Sequence, residues 1–241
     1  MLKNSPMSHF LVRNSEKTTI DAIKALIDEF CLTFSFNYLT YYAIDAPMIE
    51  DNTYLITNYP NNWQSHYFEN EYQKIDPVLN FSRGRLTPLD WGHLPPQKGK
   101  GENFFSDARK HGLGNFGMTA PIRGQYGELV LVSVNANSSV REWSETWQHA
   151  IPDYTFFAYL LHMRILCAIG EANKPVPRLS PQEAEIMRWA VRGKSAWETG
   201  KLMDLTERTV QFYFRNIYAK LEVATKTQAV ARVVREHLIP L

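Results

Sequence analysis

The stretch SAWETGKLMDLTERTVQFYFRNIYAKL, residues 195–221, holds two helix starts within twelve residues. Ser195 with Glu198 forms a capping box, in which a hydroxyl and a carboxylate three residues apart satisfy orphan backbone donors. Asp204 interrupts the apolar period, and Thr206 offers a second N-cap without a reciprocal acid. Val210, Phe214, Ile217 and Leu221 then recur at spacings that place them on one helix face. Arg208, Gln211, Phe212, Arg215 and Asn216 fall on the other side. Working outward, Ser180 with Glu183 and Thr225 with Gln228 repeat the capping box. The spacing therefore predicts four short helices over about 181–192, 196–203, 207–221 and 226–237. Two short helices joined by a tight turn, the second carrying donors, suit a DNA major groove. Arg and Gln make bidentate bonds to base edges, while Thr206, Thr209 and Lys220 suit phosphates near a helix N-terminus. From spacing alone, a small helical bundle with a polar face fits as well.

Charge leans the same way. From Lys174 onward the chain carries 12 Lys+Arg against 7 Asp+Glu, net +5, whereas the whole chain is only +1. A basic end suits a polyanion, although a solvated helix surface also explains it. Upstream, two prolines in Lys174-Pro-Val-Pro-Arg178 disfavour helix. This places a linker at 170–178 between an N-terminal domain, 1–169, and a helical domain, 179–241. At 241 residues the chain is long enough for two cores.

In the first domain, Ile20–Cys31 reads as a helix, Tyr38–Ile44 and Leu129–Val134 as strands, Gly124–Gly127 as a hairpin turn and Trp143–Leu166 as a long helix. The expected fold class is α+β: an α/β/α sandwich with a mainly antiparallel sheet, linked to an all-α four-helix domain. No run of about 18 apolar residues and no apolar leader is visible, so a cytoplasmic protein without membrane contact is expected. Cys31 and Cys167 have no metal or disulfide spacing and are expected to be small buried hydrophobes. The seven histidines lack HxxxH and HxH spacing. His66 and His111 are expected to be solvent-facing or structural, and neither a catalytic centre nor a metal or cofactor site is anticipated.

Residues 59–77 hold Tyr59, Trp63 and Tyr67 four apart, then Asp76-Pro77. The three rings make a plausible core stripe, and Asp before Pro is a standard helix start. A pocket wall fits the same residues.

The helical module resembles the LuxR/FixJ-type helix-turn-helix through Leu179-Ser180-x-x-Glu183, Gly193-Lys194-Ser195, Glu198, Leu205, Thr209-Val210, Asn216-Ile217, Lys220-Leu221 and Gln228-Ala229-Val230. Upstream, Tyr59-Pro60, Trp63, Tyr67, Asp76-Pro77, Trp91, Gly117, Pro121-Ile122 and Gly127 are similar, in order, to the autoinducer-binding domain of LuxR-type quorum-sensing regulators. The resemblance implies a homodimer that binds an N-acyl homoserine lactone and a partly palindromic operator. Residues 207–221 would be the recognition helix, and the last helix would aid dimerisation. It also implies roles. Trp63 donates to the lactone carbonyl, Tyr59 donates to the amide carbonyl and Asp76 accepts from the amide N–H. Tyr67 and Trp91 form walls, and Ser133 and Thr40 supply hydroxyls. Burying those ligand groups unpaired would cost a few kcal/mol each, so such partners are required.

Departures from the family pattern carry expectations of their own. Thr199-Gly200 replaces Ile-Ala and is expected to soften the helical domain. Gln211 and Tyr213 are expected to alter the DNA sequence read. An extra residue in 111–117 and a small Ala120 are expected to change pocket volume, which leaves room for a receptor of a plant-derived or other non-lactone signal. Gly117 is read as a backbone-conformation requirement. The remaining alternative is an enzyme or ligand-sequestering module whose helices bind protein.

Overall fold

The computed structural model describes Met7, Phe10 and residues 19–49, 51–98, 101–170 and 177–240. It divides into two compact units, Met1–Gly124 with Glu128–Asn173, and Lys174–Leu241 with Gln125–Gly127. Most of the expected linker lies outside the described residues.

The first unit is built on a five-stranded antiparallel sheet. Its strands are β1 (Tyr38–Ile44), β2 (Thr53–Thr57), β3 (Leu89–Asp90), β4 (Phe116–Arg123) and β5 (Leu129–Ala136), in the order β2-β1-β5-β4-β3. Helix α1 (Ile20–Phe34) starts at Thr19, whose hydroxyl accepts from the Ala22 N–H, and ends at Ser35 in the left-handed region. The long helix Val140–Ala168 begins at a full Ser139/Glu142 capping box. One sheet face, with Leu39, Tyr41, Met118, Ile122, Val132 and Val134, packs with buried residues of these two helices. Burial of such side chains contributes about 1.5–3 kcal/mol each.

The other face meets shorter helices: α2 (Asn61–Glu69), α3 (Pro77–Ser82) and α4 (Phe104–Lys110), with the long helix following as α5. Both faces are therefore covered, which is why β5 is buried at all eight positions, with no alternation between buried and exposed residues.

Three expectations change here. Tyr59 does not share a helix face with Trp63 and Tyr67, because α2 begins only after Pro60. A residue before proline is pushed out of helical backbone. Ala120 faces the α1/α5 side, where its N–H donates to the Tyr154 hydroxyl of α5 (2.9 Å), and so does not set pocket volume. Cys31 is buried as expected, but Cys167 is exposed.

The second unit contains α6 (Pro181–Val191), α7 (Ala196–Met203), α8 (Glu207–Lys220) and α9 (Lys226–Arg235). All three capping boxes form, and Thr206 caps α8 by accepting from the Thr209 N–H. Ile186, Met187, Val210, Phe214, Ile217, Leu221, Ala229 and Val233 make its core. Among the described residues, no helix is long and apolar enough to cross a membrane.

Candidate ligand cavity and nucleic-acid interface

Between the sheet and α2–α4 lies a cavity lined by all seven expected ligand residues: Thr40, Tyr59, Trp63, Tyr67, Asp76, Trp91 and Ser133. Most of the remaining lining is apolar, including Leu55, Val78, Leu79, Phe104, Phe105 and Leu131. Trp63 is 2% exposed and sits within about 6 Å of Tyr67, Tyr72 and Phe104 in edge or tilted contacts. Its indole N–H makes no hydrogen bond among the described residues.

Asp76 performs two tasks. One carboxylate oxygen accepts from the Val78 and Leu79 N–H groups (2.7 and 3.4 Å), capping α3 with Pro77 at its first turn. The other accepts from the Tyr67 hydroxyl (2.9 Å), so Tyr67 is a polar partner as well as a wall. Burial raises the Asp76 carboxyl from 3.8 to about 6, against the lowering effect of those hydrogen bonds. The Tyr59 hydroxyl is pushed up to about 12, mainly by burial, with Thr40 and Asn135 nearby as hydrogen-bonding groups.

Sheet register adds what spacing does not reveal. Thr57, Thr40, Ser133 and Thr119 face one another across β2, β1, β5 and β4. Thr40 and Thr57 share a 2.7 Å hydrogen bond, Ser133 and Thr119 one of 2.8 Å, and the Trp91 indole N–H donates to Thr119 (2.8 Å). A row of hydroxyls thus crosses the sheet. Thr57 and Thr119 were invisible as partners because their neighbours are set by strand pairing. Gly117 is explained by the same corner. It keeps ordinary negative φ, but a Cβ there would lie 2.2 Å from Trp91 Cε3, so the requirement is room for the indole rather than backbone freedom. Leu113 and Gly114, in the segment with the extra residue, line the cavity.

In the second unit, α7 and α8 are joined by the turn 204–206, with Asp204 at φ 55. A Cβ on Gly200 would approach the Leu205 carbonyl oxygen to 2.7 Å, so the turn needs a glycine's clearance there. Thr199 is fully buried, and its hydroxyl has no hydrogen-bond partner among the described residues. Thr199→Val, nearly the same shape without the stranded hydroxyl, is expected to stabilise this unit by about 1 kcal/mol. Thermal melting checks this; a lower melting temperature would show that the hydroxyl is satisfied in solution.

Arg208, Gln211, Phe212 and Arg215 are exposed on α8, Thr206 is exposed at its cap, and Thr209 and Asn216 are half-buried. Gln211 donates to Glu207 (3.2 Å), while Arg208 and Arg215 make no hydrogen bond or ion pair among the described residues. Lys220 differs, since its ammonium donates to the buried Glu183 carboxylate at 2.7 Å.

Family comparison agrees in both units. The autoinducer binding domain matches residues 19–165, and the luxR family of bacterial regulatory proteins matches residues 177–233. The transcriptional activator VanR of Vibrio anguillarum is 30% identical over 190 residues, 78% of each chain. AnoR of Acinetobacter nosocomialis, another transcriptional activator, is 29% identical over 95% of this chain and 94% of its own. Escherichia coli SdiA shares the fold, with TM-score 0.65 and 23% identity over 98% of each chain. SdiA in complex with octanoyl-rac-glycerol gives 0.66 and 22% over 98% and 96%. An input domain matched over more than half the sequence, followed by the matching helix-turn-helix, makes this chain a member of the LuxR family of quorum-sensing transcriptional regulators, not an enzyme.

Proposed function

We propose that the cavity binds an N-acyl homoserine lactone and that the liganded protein, as a cytoplasmic homodimer, reads a partly palindromic operator. The observation that carries this reading is Asp76: a buried carboxylate beside Tyr67 in a mainly apolar cavity, with one oxygen committed to a helix cap. An amide N–H is the donor that suits the other oxygen. Trp63 and Tyr59 supply donors for the lactone and amide carbonyls, and Thr40 and Ser133 supply hydroxyls along the chain. Tyr67 and Trp91 flank them. Phe156, Tyr159 and Met163, exposed on α5, support a self-association face. Arg208, Gln211, Phe212, Arg215 and Asn216 are the proposed base-reading set, with Thr206 and Thr209 toward phosphate. The activator names of VanR and AnoR favour activation as the outcome.

The hydroxyl row favours a second reading. Hydroxyls donate and accept equally, so a glycerol head group on an acyl chain, as in the SdiA complex, suits the same floor. Because the ligand fills a core cavity, binding should raise stability by mass action, by about 2.7 kcal/mol at a hundredfold excess over Kd. Melting the full chain with lactones of increasing chain length, and separately with monoacylglycerols, tests both readings. A shift with lactones supports the first and a shift with glycerides alone the second. Operator binding without any ligand-dependent shift would sink both.

A further inference from the structure

We propose that His66, Asp107 and His111 form a binding site for a zinc-class divalent ion on the Trp63 wall of the cavity. One ligand atom from each residue lies within 4.8 Å of the other two. Asp107 and His111 are four apart at the C-terminal end of α4, a spacing that puts both on one face. His66 reaches them from α2, its ring stacked on His111 at 4.3 Å and its Nε2 2.5 Å from Asp107 Oδ2.

The surroundings suit a metal. His111 Nδ1 lies 2.9 Å from the Asp107 carbonyl oxygen, which fixes the proton on Nδ1 and leaves Nε2 as a ligand. Tyr72 donates to Asp107 Oδ2 (2.7 Å), an outer-shell hydrogen bond that orients the carboxylate. All three side chains are half-buried, so an ion can enter and keep a water as its fourth ligand. Two groups must adjust. Lys110 Nζ, 3.6 Å from Asp107 Oδ1, sits on an exposed stem and must swing away. His66 must carry its proton on Nδ1, so Asn70 Nδ2, now 3.2 Å from that nitrogen, must draw away from it while still donating to the His66 carbonyl oxygen (2.8 Å). Imidazole and carboxylate ligands favour zinc, cobalt or nickel over calcium or magnesium.

Both rings also touch Trp63, His66 at 5.9 Å and His111 at 5.5 Å between centroids. An ion here ties α2 to α4, the two helices that supply Trp63, Tyr67, Phe104 and Ala108 to the lining. The histidines lie 45 residues apart, so sequence spacing alone carries no metal signature.

The test is titration of the EDTA-treated full chain with cobalt chloride, read by visible absorption, followed by zinc competition. The expected result is a tetrahedral cobalt spectrum and a zinc-induced rise in melting temperature. His111→Gln and His66→Gln should each weaken affinity on the order of 100-fold, at the upper end of what loss of an outer-shell partner costs. Asp107→Asn, which keeps size and the Tyr72 bond, serves where a histidine variant misfolds and should show the same loss. No cobalt spectrum, or equal affinity in wild type and Asp107→Asn, overturns the proposal.

Discussion

Asp76→Asn is expected to lower acyl-lactone affinity by about 10- to 150-fold while leaving the ligand-free protein at least as stable as wild type. Asn is as good an N-cap as Asp, so its carbonyl oxygen can keep the Val78 and Leu79 N–H groups. That constraint turns the amide NH2 toward Tyr67 and the ligand, where a donor now meets the lactone amide N–H. A charge-assisted bond contributes about 1.5–3 kcal/mol, which sets the range. Stability moves the other way. The folded carboxyl holds its proton up to about pH 6 instead of 3.8, so the native state binds protons more tightly than the unfolded chain. Stability therefore falls as pH rises from about 4 to 6, and the ionised group lowers it by roughly 3 kcal/mol at neutral pH. The Asn variant lacks that slope. Ligand affinity in the wild type should weaken as pH drops below 6, approaching tenfold per unit, because the bound amide needs the ionised form. Calorimetric titration at pH 7 and 5, with melting curves of both proteins, reads all of this. Wild-type affinity in the variant would return Asp76 to a purely structural cap.

The same residue shows what was legible. Asp76-Pro77 could be read as a cap or as a pocket group, and the fold makes these compatible by giving each carboxylate oxygen its own partners. The helices of the second unit were legible nearly to the residue, because hydroxyl caps and reciprocal acids are local chemistry. Sheet faces were not. Residues 117–122 are all buried, so no alternation showed that Ala120 points away from the cavity while Thr119 joins the hydroxyl row. Tyr59 was misplaced because a regular spacing of rings outweighed the Pro60 that follows it. Cys167 was misread from residue type alone. Phe104 and Phe105 wall the cavity from a helix of seven residues, too short for a periodic pattern.

Arg215→Ala and Lys220→Met are expected to damage DNA binding by different routes, although both residues read as DNA contacts in the sequence. Arg215 is exposed on α8 with no partner among the described residues, so its loss should leave the melting curve unchanged. Operator affinity should fall by about 10- to 150-fold, the 1–3 kcal/mol of one bidentate base contact. Lys220 instead holds Glu183, whose side chain is 4% exposed and also accepts from the Ser180 N–H (2.7 Å). Burial alone would raise the Glu183 carboxyl, but Lys220 and Ser180 together bring it below 4.5. The pair thus stabilises the unit above that pH and is lost as pH falls through the lowered value. Breaking a buried pair costs about 3–5 kcal/mol, and the half-exposed lysine reduces this to roughly 2–3. For a domain of this size that is a drop of about 10–20 °C. Replacing both partners with apolar residues should recover most of the loss, since no charge is then stranded. Operator titrations at several salt concentrations separate the two roles. A phosphate contact by Lys220 predicts a salt slope smaller by about 1 in Lys220→Met with an unchanged melting temperature. A lowered melting temperature with an unchanged slope assigns the residue to the fold, and leaves Thr206, Thr209 and the basic surface of the unit to hold the backbone.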